Sequence, residues 1–156
     1  MNWEAAGAIG EILGAAAVVI SLFYLAIQIR TQNKEARLAA QHQVLTAFRE
    51  ASLIMSDPEL ADIFLRGNKD IESLSDIEIF RMICVLNPVI RVFEEAYDQY
   101  IQGRLDKQKW DGMVRQYSSY LSAPSFQQVW KVRREHYQED FRSFVDSIEK
   151  PGYMIR

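Results

Sequence analysis

The chain of 156 residues contains one cysteine and two histidines, and this scarcity excludes several kinds of site. A single cysteine, Cys84, forms no intrachain disulfide and no thiolate metal cluster. It lies in the apolar stretch RMICVLNPVIRVF, which predicts a small buried side chain. His42 and His136 belong to no Glu-x-x-His pair, and no H-E-x-x-H, Walker or G-x-S-x-G motif occurs. The sequence therefore predicts a protein that is not an enzyme and that holds no metal or cofactor.

The chain has no excess of positive charge, since 18 Lys and Arg against 21 Asp and Glu give a formal net charge of −3. Dedicated nucleic-acid binders carry a basic domain, so the composition predicts no nucleic-acid partner. No Lys or Arg precedes Arg30. A secretory signal peptide begins with positive charge and has a short apolar region. The opening MNWEAAGAIGE therefore does not predict a cleaved signal.

Glycine and proline are absent between Gly14 and Pro58, and no stretch shows the alternation typical of a strand. We therefore expect one long helix from about Trp3 to Ser56, followed by shorter helices. The predicted fold is all-α, with one N-terminal transmembrane helix continuing into a small cytoplasmic helical bundle. We divide the chain into an anchor at residues 1–30, a cytoplasmic helical domain at 31–150 and a tail at 151–156.

The first helix carries an apolar run long enough to cross a lipid bilayer. From Ile12 to Ile27 every residue is apolar or small except Ser21. With its flanking apolar residues the run has about 25 residues and a length of roughly 37 Å. A bilayer has about 30 Å of hydrocarbon to cross. A buried core helix is the alternative, but four turns without a polar face favour a membrane span.

The charges that flank this run predict its orientation. Arg30, Lys34 and Arg37 follow the run directly, whereas the leader before it has only the terminal amine as a positive charge. By the positive-inside rule, the N-terminus lies outside and everything after Arg30 lies in the cytoplasm. Arg30, Lys34 and Arg37 are then the cytoplasmic stop of the span.

Small residues are dense at the start of the span. Gly10 and Gly14 form a small-xxx-small pair that Ala6 extends upstream, and Gly7 lies on an overlapping stripe with Glu11. Small residues let two helix backbones approach closely in lipid, where packing drives association. Gly7, Gly10 and Gly14 therefore predict a homo-oligomeric contact. The alternative is chance, because Gly and Ala are common in membrane helices.

Glu11 is a carboxylate near the outer end of the span, and it has three interpretations. An intramembrane carboxylate is costly and marks a functional site by default. If the hydrocarbon begins near Ile9, however, Glu11 lies only about 3 Å deep and reaches the headgroups. Glu11 is therefore a boundary residue, a structural group that faces an oligomer partner, or an ion or proton site.

The rest of the chain shows the apolar spacing and the capping residues of further helices. The apolar stripe expected to pack the long helix on the domain consists of Leu38, His42 or Gln41, Leu45, Phe48, Ser52 and Met55. Asp57 before Pro58 predicts a second helix with Gly67 as its C-cap. The capping box SDIE at residues 75–78 begins a third helix that Gly103 ends. Asp106 and Ser125 are the expected caps of a fourth and a fifth helix, and residues around Phe141 form a short sixth.

The beginning MNWEAAGAIGEILGAAAVVISLFYLAIQIRTQN resembles a widespread group of small, uncharacterised bacterial membrane proteins. Chains of that group open with a GAIGE element, an apolar run and a YLAxQIRxN ending. The later stretches SDPELADIFLRG, VFEEAYDQY and FRSFVD are also similar to recurring pieces of the group. The resemblance implies a one-span bacterial inner-membrane protein with a helical cytoplasmic domain. It implies no activity and no catalytic residue.

These patterns lead to two functional hypotheses. The first is a non-enzymatic, self-associating single-pass inner-membrane protein whose helical domain is a scaffold or binds a protein partner in the cytoplasm or membrane. The alternative is a small oligomeric channel or sensor, with Glu11 near the oligomer axis. Both place the chain in the bilayer and predict a homo-oligomer.

Overall fold

The computed structural model describes residues 3–153, with backbone only at residues 5 and 6. Six α-helices and two short 3-10 helices form all of the regular structure in this range. They are α1 (Trp3–Met55), α2 (Pro58–Lys69), η1 (Ile71–Ser73), α3 (Asp76–Ile101), α4 (Lys107–Leu121), α5 (Pro124–Arg133), η2 (Arg134–His136) and α6 (Glu139–Ser147). The predicted all-α fold, with one long apolar N-terminal helix before a helical bundle, is confirmed. The side chain of Ala6 and the end of the predicted tail, residues 154–156, lie outside the described residues.

The chain divides into two compact units after Ala39. The first unit is the apolar part of α1, and the second holds the end of α1 together with α2 to α6. Helix α1 begins at Trp3 as predicted and ends at Met55, one residue before the expected end.

Helix α3 supplies the centre of the core of the second unit. Its residues Met82, Leu86, Val89, Ile90, Phe93 and Ala96 are at most 1% exposed. The predicted capping box begins the helix, because the Ser75 amide donates to Glu78 Oε2 at 2.8 Å. Glu78 also accepts from Arg66, and these bonds hold the pKa of its carboxyl down at about 2. Gly103 follows α3 with φ 68°, a left-handed conformation that favours glycine.

Aromatic rings fill the space between α3, α4 and α6. Phe93 stacks on Tyr117 with ring centroids 3.9 Å apart, and it contacts Trp110 and Phe141 at 5.6 Å each. Tyr117 and Phe141 are nearly or completely buried. These rings lie on the apolar stripes of their helices, so their role in this unit is packing.

The face of α1 that the second unit buries overlaps the predicted stripe only in part, at Phe48 and Met55. Ala40, Val44 and Ala51 are buried, and Phe48 and Met55 pack beside them. Leu38, His42 and Leu45, which belonged to the predicted stripe, are exposed.

Three local predictions from the sequence are wrong. Gly67 does not end α2 but lies buried inside it, where an added Cβ would stand 2.8 Å from Leu74 Cδ1. Ser125 does not cap α5, because Ala123 occupies the N-cap position and Ser125 follows Pro124 inside the helix. Cys84 is exposed rather than buried, because its neighbours Met82 and Leu86 supply the core face of α3.

Two tyrosines donate hydrogen bonds to α3 beside Pro88, one to a backbone carbonyl and one to a side chain. The Tyr117 hydroxyl donates to the Val89 carbonyl at 2.8 Å, and the Tyr137 hydroxyl donates to Asn87 Oδ1 at the same distance. Tyr117 is 1% exposed, and its burial raises the pKa of the phenol far above its ordinary value. The phenol is therefore protonated, and a hydrogen-bond donor, at neutral pH.

Replacing Tyr117 with Phe removes one buried hydrogen bond and leaves the Val89 carbonyl with one donor fewer. We expect Tyr117→Phe to lower the free energy of unfolding by about 1 kcal/mol. Chemical denaturation followed by circular dichroism measures this change. Tyr97→Phe is the matched control, because Tyr97 packs on Phe144 at 5.1 Å and its hydroxyl makes no hydrogen bond among residues 3–153. Equal stabilities for the two variants would contradict the role assigned to the Tyr117 hydroxyl.

Candidate membrane anchor and self-association surface

The first unit exposes its entire apolar surface. Every residue from 7 to 39 is exposed, and this includes large side chains such as Ile20 at 68% and Phe23 at 68%. An 18-residue window of α1 has a mean hydropathy of 2.3, and none of it is buried. A core helix of a soluble protein would be covered by its own chain. Helix α1 is thus the one described helix that is long and apolar enough to span a membrane.

Polar side chains within and just after the apolar run bond to neighbours on the same helix. Ser21 Oγ donates to the Ala17 carbonyl at 2.8 Å, and Thr31 Oγ1 donates to the Ile27 carbonyl at 3.1 Å. Gln28 Nε2 donates to the Tyr24 hydroxyl oxygen at 2.8 Å. An unsatisfied polar group is costly in hydrocarbon, so these internal bonds suit a helix in lipid.

The three glycines of α1 present bare backbone to their surroundings. Apart from adjacent residues and the backbone of the same helix, no described atom lies within 4 Å of a Cβ built at Gly7, Gly10 or Gly14. Close packing within one chain is therefore not the reason for these glycines. Glu11 is exposed between them, and no described residue forms an ion pair with it.

Beyond the span, the exposed residues of α1 include a mixed apolar and polar face. Leu38 is 57% exposed and Leu45 is 59% exposed, although both are large apolar side chains. His42 and Arg49 are exposed on the same side of the helix as Leu45, and His42 Nδ1 lies 3.1 Å from Thr46 Oγ1. His42, which belonged to the predicted packing stripe, is therefore on the surface.

The basic residues that follow the span are exposed and available to other molecules. Arg30, Lys34 and Arg37 are all exposed. None of them takes part in the ion pairs found among residues 3–153. Uncompensated basic residues at the end of an apolar helix match the flank of a membrane span on its cytoplasmic side.

Glu94 of α3 has a structural role. Glu94 is 7% exposed; its Oε2 accepts from Arg91 at 2.5 Å and its Oε1 accepts from the Gln138 amide at 3.0 Å. Gln138 is the N-cap residue of α6, so Glu94 fixes the start of that helix. Within the described range, no group of three or more His, Cys, Asp or Glu residues could hold a metal ion.

Cys84 and His136 line the same shallow groove, which has a volume of about 280 Å³. Arg91 and Arg133 line it as well. His136 Nδ1 lies 3.2 Å from the Arg133 carbonyl, and no hydrogen bond in the described structure joins the imidazole to the thiol. The two groups thus do not form the hydrogen-bonded pair in which a base activates a nucleophile.

No family model, curated protein or solved structure matches the chain. Function is therefore inferred from the chemistry of the chain's own residues. Sequence reasoning located Gly7, Gly10, Gly14 and the basic flank, and the structure leaves all of them exposed. The predicted packing stripe included Leu38 and Leu45, with His42 at its edge, and no local signal distinguishes that face from the face of Ala40 and Val44.

Two arginines in the middle of the apolar run should abolish membrane integration. Each costs about 2.5–3.5 kcal/mol near the centre of a span. We expect Val18→Arg combined with Leu22→Arg to move the protein out of the membrane fraction that resists alkaline carbonate extraction.

The matched control adds the same charge elsewhere, through Ile77→Arg combined with Phe80→Arg on α3. Both residues are more than 60% exposed, so the control should leave extraction unchanged. An unchanged carbonate-resistant fraction for the first variant would contradict the membrane span.

Proposed function

We propose that the protein is a non-enzymatic, self-associating single-pass protein of the bacterial inner membrane. Its helical domain lies in the cytoplasm as a scaffold or as the binding site for another protein. The single observation that carries this proposal is the apolar helix α1, whose residues 7–39 are exposed on all sides.

Thirteen positions of α1 have the spacing of a coiled-coil contact surface. Residues 7, 10, 14, 17, 21, 24, 28, 31, 35, 38, 42, 45 and 49 follow one another at alternating intervals of three and four. These intervals are those of the a and d positions of a left-handed coiled coil. Every one of the thirteen residues is exposed in the structure. We call these positions the α1 seam.

The residues of the seam change in character along the helix. Within the apolar run they are small, namely Gly7, Gly10, Gly14, Ala17 and Ser21. Small residues permit the close backbone approach through which helices associate in lipid. The open space around the three glycines supports a second helix as their neighbour.

After the run, the seam becomes polar and then apolar again. Gln28 and Glu35 occupy a positions, and Leu38 and Leu45 occupy d positions. Polar a residues lower the stability of a coiled coil but fix its register and number of strands. Leucine at d then supplies the packing in water that glycine supplies in lipid. A second copy in the same membrane has the same orientation, so its seam is parallel and in register.

Other features support a separate protein partner for the helical domain. Ile77 is 73% exposed and Phe80 is 63% exposed, one turn apart on α3. Two large apolar side chains that face solvent together are typical of a contact surface. They are not seam residues, so a partner could bind them while α1 self-associates.

Larger side chains at the glycines should disrupt self-association. We expect Gly10→Ile combined with Gly14→Ile to remove most of the dimer or higher oligomer, because the backbones can no longer approach. Chemical crosslinking in native membranes, followed by immunoblotting, measures the oligomer fraction.

Ala8→Ile combined with Ala15→Ile is the matched control. It introduces the same two side chains at equally exposed positions next to the seam. This control should crosslink like the natural chain. Only monomer in the natural chain, or equal oligomer in both variants, would contradict the proposal.

The exposed thiol tests the proposed orientation. Cys84 is the only cysteine of the chain and is accessible on α3. We expect a membrane-impermeant maleimide to label Cys84 in permeabilised spheroplasts but not in intact ones. A variant with Glu4→Cys and Cys84→Ser should show labelling in both preparations. Labelling of Cys84 in intact spheroplasts would reverse the orientation.

A further inference from the structure

A cavity of about 380 Å³ lies in the second unit between α2, α4, α5 and the end of α1. Its walls are mainly apolar and include Phe64, Tyr120 and Phe126. Tyr120 stacks on Phe126 with centroids 5.4 Å apart and planes inclined by 14°, which gives one wall a flat surface. The volume is within the usual range of ligand pockets.

One polar group in this lining has no partner. Ser125 lines the cavity and is 0% exposed, and its Oγ forms no hydrogen bond within the described structure. Its backbone amide is satisfied, because it donates to Asn68 Oδ1 at 2.9 Å. A buried hydroxyl without a partner lowers stability, so a serine rather than an alanine at this position needs another reason.

Asn68 places a second hydroxyl beside the first. Its Nδ2 donates to the Tyr153 hydroxyl oxygen at 2.8 Å, and Tyr153 also lines the cavity. Since Asn68 donates in that bond, the Tyr153 hydroxyl hydrogen remains available. The lining therefore contains two hydroxyl groups, those of Ser125 and Tyr153, that have a hydrogen to donate.

Charge is missing from the lining. It consists of Met55, Ala61, Phe64, Leu65, Asn68, Ser119, Tyr120, Ala123, Ser125, Phe126 and Tyr153. An ionised ligand would lose its hydration there without gaining an opposite charge. An apolar cavity of 150 Å³ holds benzene, so this one has room for a ligand of about 10–15 non-hydrogen atoms.

We propose that this cavity binds a small neutral aromatic molecule with one hydroxyl or carbonyl oxygen, held between the aromatic wall and the hydroxyls of Ser125 and Tyr153. The ring packs on Tyr120 and Phe126, and the oxygen accepts from the Ser125 hydroxyl. The site is separate from the α1 seam, so binding and self-association fail independently of each other.

The experiment uses the full chain in lipid nanodiscs and three probes of one ring system. 2-Naphthol has the ring and the oxygen, naphthalene lacks the oxygen, and 2-naphthoate carries a charge. Equilibrium dialysis measures the binding of each, with empty nanodiscs subtracted. We expect saturable binding of one 2-naphthol per chain, and binding of 2-naphthoate weaker by roughly tenfold or more.

Ser125→Ala should weaken the binding of 2-naphthol about fivefold, the loss of one hydrogen bond, and leave the binding of naphthalene unchanged. The same variant should keep or raise the thermal unfolding midpoint, because the unpartnered hydroxyl is gone. Ala61→Trp fills the cavity and should abolish the binding of both neutral probes. Ser143→Ala is the matched control, since Ser143 is exposed on α6 and does not line the cavity.

Binding of 2-naphthol no greater than that of empty nanodiscs would overturn the proposal. An equal affinity in the natural chain, Ser125→Ala and Ala61→Trp would overturn it as well. Preferential binding of 2-naphthoate would show that the site takes anions and would contradict the neutral ligand.

Discussion

The apolar side chains between Ile9 and Ile29 must be removed from water, and the rest of the structure follows from this requirement. Twelve large side chains in this stretch are exposed by about half or more. Leaving them in water forgoes on the order of 20 kcal/mol of transfer free energy. A typical domain is stable by only about 5–15 kcal/mol. The second unit cannot offset such a loss, because its core is complete without these residues. Among residues 3–153 nothing covers these side chains, and a lipid bilayer is the environment that we propose for a helix apolar on all sides.

Lipid covers apolar side chains but gives two helices no hydrophobic reason to associate. In the proposed oligomer, the glycines near the start of α1 supply another reason, because bare backbone permits close van der Waals contact. In water, burial of apolar side chains does favour association, and Leu38 and Leu45 are exposed apolar side chains that a second apolar surface could cover. One helix thus carries two kinds of contact residue, each suited to the solvent around it.

Element positions in this chain could be predicted because their signals are local. Asp57 before Pro58, the Ser75–Glu78 capping box and Gly103 each act within a few residues, and the structure retains all three. The faces that pack could not be predicted as well. Helix α1 has apolar residues on two sides after Arg37, and only the shape of the bundle decides that Ala40 and Val44 are buried while Leu45 is not.

The candidate sites show the same division. Gly7, Gly10 and Gly14 could be identified from spacing, because association in lipid depends on residue size along one helix. The cavity beside Ser125 could not be identified, because its lining comes from four helices and from Tyr153, which are distant in sequence. Cys84 was placed in the core because its neighbours are apolar, but a helix turns by about 100° per residue and adjacent side chains face different ways.

Because α1 is one continuous helix from Trp3 to Met55, the number of residues that can be inserted or deleted within it is restricted. Inserting one residue into a continuous helix turns everything beyond it by about 100° and shifts it by about 1.5 Å. Between Arg30 and Leu38 no glycine, proline or loop is present to absorb such a turn. An insertion of seven residues, by contrast, returns the residues beyond it to within about 20° of their original direction around the helix axis. Homologous chains that keep this architecture should therefore differ in this stretch by whole heptads or not at all, whereas the loops between α2 and α6 are free to vary by single residues.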